Sequence, residues 1–185
     1  MGFHTFPIDR ADALEDPSRY RYCSREELVA ALALDGSESV ADLGSGTGFY
    51  TDDVAPFAAR MYAVDVQAEM HELYREKGMP GNVEAVTAPI DDLPLGDGAL
   101  DAAFSTMTYH EFAGDGALDE LHRVLGEGGR LVTVDWTANG LGESGPSRDE
   151  RFDAEDAVAQ HEAAGFTVTA ATERPETMLV VATRD

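Results

Sequence analysis

The sequence holds one cysteine, one lysine and one tryptophan in 185 residues. A lone Cys23 excludes an intramolecular disulfide, and no Cys/His pair has zinc-ligand spacing. No apolar run approaches the length of a membrane span, and the N-terminus lacks the basic and apolar regions of a signal peptide, so a cytoplasmic protein without membrane contact is expected. Basic residues are scarce: 13 Lys plus Arg stand against 36 Asp plus Glu, a formal net charge of -23 with a pI near 4.3. A field of that sign repels phosphate backbones, and nucleic acid is not expected as a partner.

What the chain does hold is a core. Hydrophobic residues make up 43% of it and aromatics 8%, more than a disordered acidic chain carries. The length suits one filled core and not two. The acids are spread along the chain, which predicts a solvated acidic surface. Such a surface repels itself in dilute buffer, whereas roughly 1 M salt shortens the Debye length to about 3 Å. A halophile's cytosol is the expected setting.

From Ser39 onward, β-branched or Ala-rich runs alternate with helical patterns, the signature of an α/β fold with a parallel sheet covered on both faces. The expected strands are Ser39–Leu43, Arg60–Asp65, Val83–Ala88, Asp101–Thr106 and Arg130–Trp136. The expected helices are Tyr50–Phe57, Ala68–Lys77, Ala117–Leu125 and Ala154–Ala164, the third ended by Gly126, Gly128 and Gly129 and the last by Gly165. Phe166–Thr172 and Thr177–Thr183 are separated by Glu173–Glu176 with Pro175 inside, which is hairpin spacing, so an antiparallel pair should finish the sheet. Residues 1–38 stand apart as a helical lid segment, with Ser24 and Glu27 forming a capping box for a helix through Leu34. Residues 39–185 form the binding domain, and the whole is read as one compact unit. Thr137–Arg151 is the one linker-like stretch.

The most informative segment is Asp42-Leu43-Gly44-Ser45-Gly46-Thr47-Gly48, a strand running through three alternate glycines into a helix. Alternate glycines remove side chains where a ligand must touch backbone, and a following helix offers unpaired N–H groups to an anion. Asp65 ends the second strand, where an acid can accept both ribose hydroxyls of a nucleoside cofactor. The dinucleotide fingerprint is G-x-G-x-x-G, whereas this turn reads G-x-G-x-G after an acid.

On these residues the chain resembles the class I S-adenosylmethionine-dependent methyltransferases, in which such a turn holds the methionine portion of the cofactor and the acid closing the second strand holds the ribose. The resemblance continues at Asp91-Asp92-Leu93-Pro94-Leu95, at Leu100–Ser105 and at Leu121–Leu131. It implies S-adenosylmethionine as cofactor and a Rossmann-like doubly wound, seven-stranded sheet of order 3-2-1-4-5-7-6. The cofactor-binding set implied is Asp42, Gly44, Ser45, Gly46, Gly48, Asp65, Val66, Ile90, Asp91 and Ser105. Many relatives carry an acid where this chain has Pro89, which leaves Ile90 and Asp91 to supply the adenine edge. The chain is most similar to small-molecule members related to quinone biosynthesis, but its loop after the fifth strand is shorter, which argues against a large, deeply enclosed acceptor.

Methyl transfer from a sulfonium expels a neutral thioether, so alignment and desolvation do most of the work and the acceptor alone needs a base. His110, just past the fourth strand, is the first candidate. Asp135, at the exit of the fifth, is the second, as a base or as an anchor for a cationic substrate, and with Trp136 it should face the same mouth. Tyr109 and Glu111 read as packing or solvated groups. His4, His71, His122 and His161 read as surface residues. Phe3, Phe6, Tyr20 and Tyr22 read as anchors of the lid. One thiol argues against the family's arsenic chemistry, and Ser105–Tyr109 lacks the Asn/Asp-Pro-Pro-aromatic stretch of its amide methylases, which leaves a small-molecule acceptor. A nicotinamide-dependent oxidoreductase and a binding protein without turnover remain as alternatives. Oligomeric state is not read from the sequence.

Overall fold

The computed structural model describes residues 5–114 and 116–185; Phe3 and His4 lie outside them. The N-terminal segment forms two 3-10 stretches, Ile8–Glu15 and Pro17–Arg21, divided at Asp16, whose carboxylate accepts from the Ser18 N–H. Helix α1 spans Arg25–Leu32, and the Ser24 hydroxyl accepts the Glu27 N–H at 3.1 Å. The carboxylate of Glu27 is drawn to Arg174 at 2.5 Å instead of completing the expected capping box. Ala33, left-handed at φ 51°, ends the helix before Leu34.

Seven strands follow: β1 Ser39–Leu43, β2 Arg60–Asp65, β3 Val83–Thr87, β4 Leu100–Thr106, β5 Leu125–Trp136, β6 Phe166–Glu173 and β7 Thr177–Arg184. Their order is β3-β2-β1-β4-β5-β7-β6. β1 to β5 are parallel, and β7 runs antiparallel to both β5 and β6. The Rossmann-like order and the antiparallel finish agree with the sequence reading.

The connecting helices are α2 Phe49–Val54, α3 Ala68–Lys77, α4 Tyr109–Phe112, α5 Ala117–Val124 and α6 Ala154–Ala163. α2 is shorter than expected because Pro56 lacks an N–H, and the chain tightens into a 3-10 turn over Ala55–Phe57. Gly126, Gly128 and Gly129 do not form a turn outside the sheet, as the sequence suggested. They lie within β5, whose pairing with β4 jumps from Leu100↔Leu125 to Ala102↔Arg130. That bulge needs Gly128 at φ 75°.

Alternate strand residues feed two cores. Ala41, Leu43, Val64 and Ala103 pack with Leu121 of α5 and Ala157 of α6. Val40, Met61, Ala63 and Phe104 pack with Leu28 of α1, Val54 of α2 and Tyr74 of α3. Two histidines expected on the surface belong to the interior. His71 Nδ1 lies 2.9 Å from the Thr87 hydroxyl. His161 places Nδ1 2.7 Å from the Ala157 carbonyl and Nε2 3.0 Å from the Thr133 hydroxyl. Their periodicity resembled a polar face, but a neutral imidazole is tolerated in a core when it is hydrogen-bonded, through both nitrogens in His161 and through Nδ1 in His71. Burial lowers the pKa of both. His122 is half-buried against Phe166.

Candidate functional site

The strand order reverses at β1, and there, at the carboxyl ends of β1, β2, β4 and β5, lies a cavity of about 660 Å³. Its floor includes Gly44–Gly46, Asp65, Ile90 and His110. The N-terminal segment closes it from one side and the loop at Ser144–Pro146 from the other. The two covers meet: the Tyr22 hydroxyl donates to Ser144 Oγ at 2.9 Å, and the Tyr22 ring packs edge-on against Trp136 at 4.6 Å.

The glycine turn is built for packing as much as for a ligand. Gly44, Gly46 and Gly48 all have positive φ, at 77°, 53° and 83°. A Cβ on Gly44 would stand 2.7 Å from the Thr108 methyl, and one on Gly48 only 2.2 Å from the Tyr74 ring. Gly48 is not among the cavity walls. Over Gly46 sits the Leu14 side chain, 3.0 Å from an added Cβ. Four amides of the expected bare row are taken within the protein. The Gly44 and Ser45 N–H groups both donate to the Val64 carbonyl, Gly46 to Asp65 and Gly48 to the Ser45 carbonyl. What those four positions leave is close backbone approach, not free donors.

Asp42 stands behind the wall. It is fully buried, accepts from the Thr51 hydroxyl at 2.6 Å, and burial pushes its pKa up to about 7. Asp65 is in the wall, its oxygens taking the Gly46 N–H at 2.8 Å and the Gln67 N–H at 2.9 Å, which leaves a lone pair on each. Ser45 presents a buried hydroxyl with no partner among the described residues. Val66 and Ile90 add apolar walls. Besides Asp42 and Gly48, two more residues of the expected set are not in the wall. Asp91 is exposed and outside the walls. Ser105 is buried in β4, its hydroxyl 3.0 Å from that of Thr108.

Arg19 was not singled out in the sequence, where it is one arginine among several in a charged stretch. In the fold it lines the cavity, its guanidinium 4.9 and 5.0 Å from the ring centres of Phe49 and Tyr50. It donates to the Leu14 carbonyl at 2.7 Å and forms no ion pair among the described residues. Burial lowers its pKa. A guanidinium has five donors, so this is a cation with donors to spare at the cavity wall.

His110 is the second residue of α4, one after Tyr109 and three after Met107, a non-glycine residue held at φ 63°. Tyr109 turns into the core, its hydroxyl donating to Gln160 at 2.6 Å. His110 lines the cavity. Asp135, expected at the mouth, is instead fully buried beneath it, accepting the His110 N–H at 2.6 Å and lying 2.9 Å from Nδ1. Burial pulls the His110 pKa down, but the Asp135 hydrogen bond and charge, with Glu111 and Glu150 adding to them, bring it above the ordinary value. Glu111, expected to be solvated, is a cavity wall with its pKa pushed up to about 7 by burial. Trp136 faces the cavity as expected.

Comparison with known proteins agrees with this geometry. A family model described as "Methyltransferase domain" matches residues 41–133. An uncharacterized methyltransferase-like protein of Schizosaccharomyces pombe is 30% identical over 70% of this chain and 50% of its own length. A ubiquinone/menaquinone biosynthesis C-methyltransferase of a Geobacter species is 30% identical over 61% of this chain and 52% of its own. The chain thus spans about half the length of these curated relatives. The crystal structure of a SAM dependent methyltransferase from Aquifex aeolicus is 28% identical, with a TM-score of 0.88 over 97% of this chain and 100% of that one. A SAM dependent methyltransferase from Mesorhizobium loti, 18% identical with a TM-score of 0.72 over 88% of this chain and 99% of that one, shares the fold.

Proposed function

The chain belongs to the methyltransferase-domain family, in its S-adenosylmethionine-dependent form, and we propose that its cavity transfers the cofactor's methyl group to a small-molecule acceptor. The observation that carries this reading is that one cavity is walled both by the glycine turn with Asp65 and by an imidazole anchored on a buried carboxylate. Its volume of about 660 Å³ lies within the roughly 300–1,000 Å³ of small-molecule sites.

The walls fit the cofactor. Asp65 takes the ribose hydroxyls with its free lone pairs, helped by the orphaned Ser45 hydroxyl. Val66 and Ile90 flank the purine. Arg19 pairs with the amino-acid carboxylate, and Gly44 and Gly46 let the methionyl chain lie on the backbone. Asp42 acts from behind by fixing α2 through Thr51, Gly48 seats Tyr74, and Ser105 holds Thr108 against the turn. Asp91 takes no direct part. When bound, the cofactor supplies an electrophilic methyl group.

The acceptor's proton goes to His110 Nε2. With Nδ1 donating to Asp135, Nε2 carries the lone pair and faces the cavity. Asp135 is a positioning residue, since it reaches the cavity only through the imidazole. The N-terminal segment and the Ser144–Pro146 loop exclude water.

Calorimetric titration with S-adenosylhomocysteine and with NAD tests the reading. Micromolar or tighter binding of the first, none of the second, and at least a tenfold loss in Asp65→Ala are expected; the reverse preference would end it. The acidic surface supports an intracellular, salt-rich setting. The melting temperature should climb as KCl rises from near zero to about 1 M, where charge repulsion is screened. A flat profile removes that part of the proposal. No helix among the described residues is long and apolar enough to cross a membrane.

A further inference from the structure

Around His110 the cavity has a charge pattern of its own. Glu111 lines the wall one residue on, its Oε1 3.9 Å from His110 Nε2, too far for a hydrogen bond. No hydrogen bond to the Glu111 carboxylate is formed by any described residue. The charges that act on it are those of His110, Asp135 and Asp65, with no guanidinium among them. Glu150, at the rim of the same cavity, adds its charge to the field at His110. The two basic walls, Arg10 and Arg19, are stacked on Phe6 and on Phe49 with Tyr50. Trp136 and Phe112 give the same cavity aromatic walls. The cavity therefore holds a half-buried acid with no hydrogen bond from the described residues, facing the His110 ring at 3.9 Å and no guanidinium or ammonium of the protein.

A carboxylate placed this way costs desolvation energy unless a ligand brings the counter-charge and the donors. We propose that the acceptor is a basic amine, bound as its ammonium by Glu111 and methylated on nitrogen. The inference rests on the methyltransfer reading above. The ammonium gives one proton to His110 Nε2 and keeps another N–H on the Glu111 carboxylate. The freed nitrogen lone pair forms the N–C bond while the C–S bond breaks, and that electron pair leaves on a neutral thioether sulfur. Glu111 thus orients the nitrogen and His110 takes its proton.

The test uses the full chain saturated with S-adenosylhomocysteine, in 1 M KCl to screen the long-range field. A pH of 8 keeps Glu111 ionised and simple amines protonated. Three matched pairs serve as probes: benzylamine and benzyl alcohol, tryptamine and tryptophol, butylamine and butanol. In at least one pair the amine should bind ten or more times tighter than the alcohol. Glu111→Gln should bring that pair within twofold, and Glu111→Lys should favour benzoate over benzylamine, with S-adenosylhomocysteine affinity held within twofold in both. Amines that never exceed their alcohols, or a preference that survives Glu111→Gln, overturn the proposal. Failure of S-adenosylhomocysteine to bind the unaltered chain would instead strike the methyltransfer reading itself.

Discussion

Asp135 accepts both the backbone N–H and the ring Nδ1 of His110, at 2.6 and 2.9 Å, from a position with no exposure to solvent. One buried carboxylate thereby fixes the imidazole's place, its tautomer and its basicity. Asp135→Asn should leave cofactor affinity unchanged and move the limb of the pH–rate profile that reports neutral His110 to lower pH. The sign follows from the Asp135 charge, which favours the protonated ring. His110→Ala should cost roughly 10²–10⁴-fold in kcat. An unshifted limb in Asp135→Asn would remove His110 from the proton path.

Gly48 and Gly46 should differ in what a side chain costs the fold. Gly48→Ala drives a methyl into the Tyr74 ring at φ 83°, and thermal unfolding should show a loss of roughly 2–4 kcal/mol from backbone strain and overpacking. Gly46→Ala meets only the end of a Leu14 side chain and should lose about 1–2 kcal/mol from the left-handed backbone.

Arg19→Met keeps an apolar stem between Phe49 and Tyr50 and removes the charge. Affinity for S-adenosylhomocysteine should fall ten- to hundredfold, the scale of a charge-assisted hydrogen bond. Affinity for methylthioadenosine, which has no carboxylate, should stay within twofold. Equal losses for the two ligands would place the carboxylate elsewhere.

His161 is buried with both nitrogens partnered, and burial holds its pKa below the ordinary value. The unfolded chain therefore binds the proton first. The stability that the neutral ring contributes is complete above about pH 6.5 and is lost as pH falls through the lowered folded value. The melting temperature should drop between pH 7.5 and 5 by more in the unaltered protein than in His161→Gln.

Much of this architecture is local in origin and so was legible in the residues. β1, β2 and α3 have the limits their apolar spacing predicts, because each is defined by a short periodic run, closed by Gly44 after β1 and by Gly78 after α3. Where the reading failed, a distant residue decided. The glycines after α5 looked like a turn and became a bulge, since Leu125 pairs with Leu100. His71 and His161 looked polar-facing, and Thr87 and Thr133 made them interior residues.

The site divides along the same line. By itself the sequence determined that a strand, a tight left-handed turn and an acid at the next strand's end would meet, because glycine and β-branched residues restrict the backbone locally. It also determined the acidic character of the surface. Only the tertiary structure decided which polar groups have anything to bind. It consumed the amides of Gly44, Ser45, Gly46 and Gly48 within the protein, sank Asp135 under His110, turned Asp91 outward, and left Arg19 with spare donors and Glu111 without a hydrogen bond at the cavity wall. Whether a buried charge is satisfied depends on neighbours tens of residues away in the chain, and no local pattern records them.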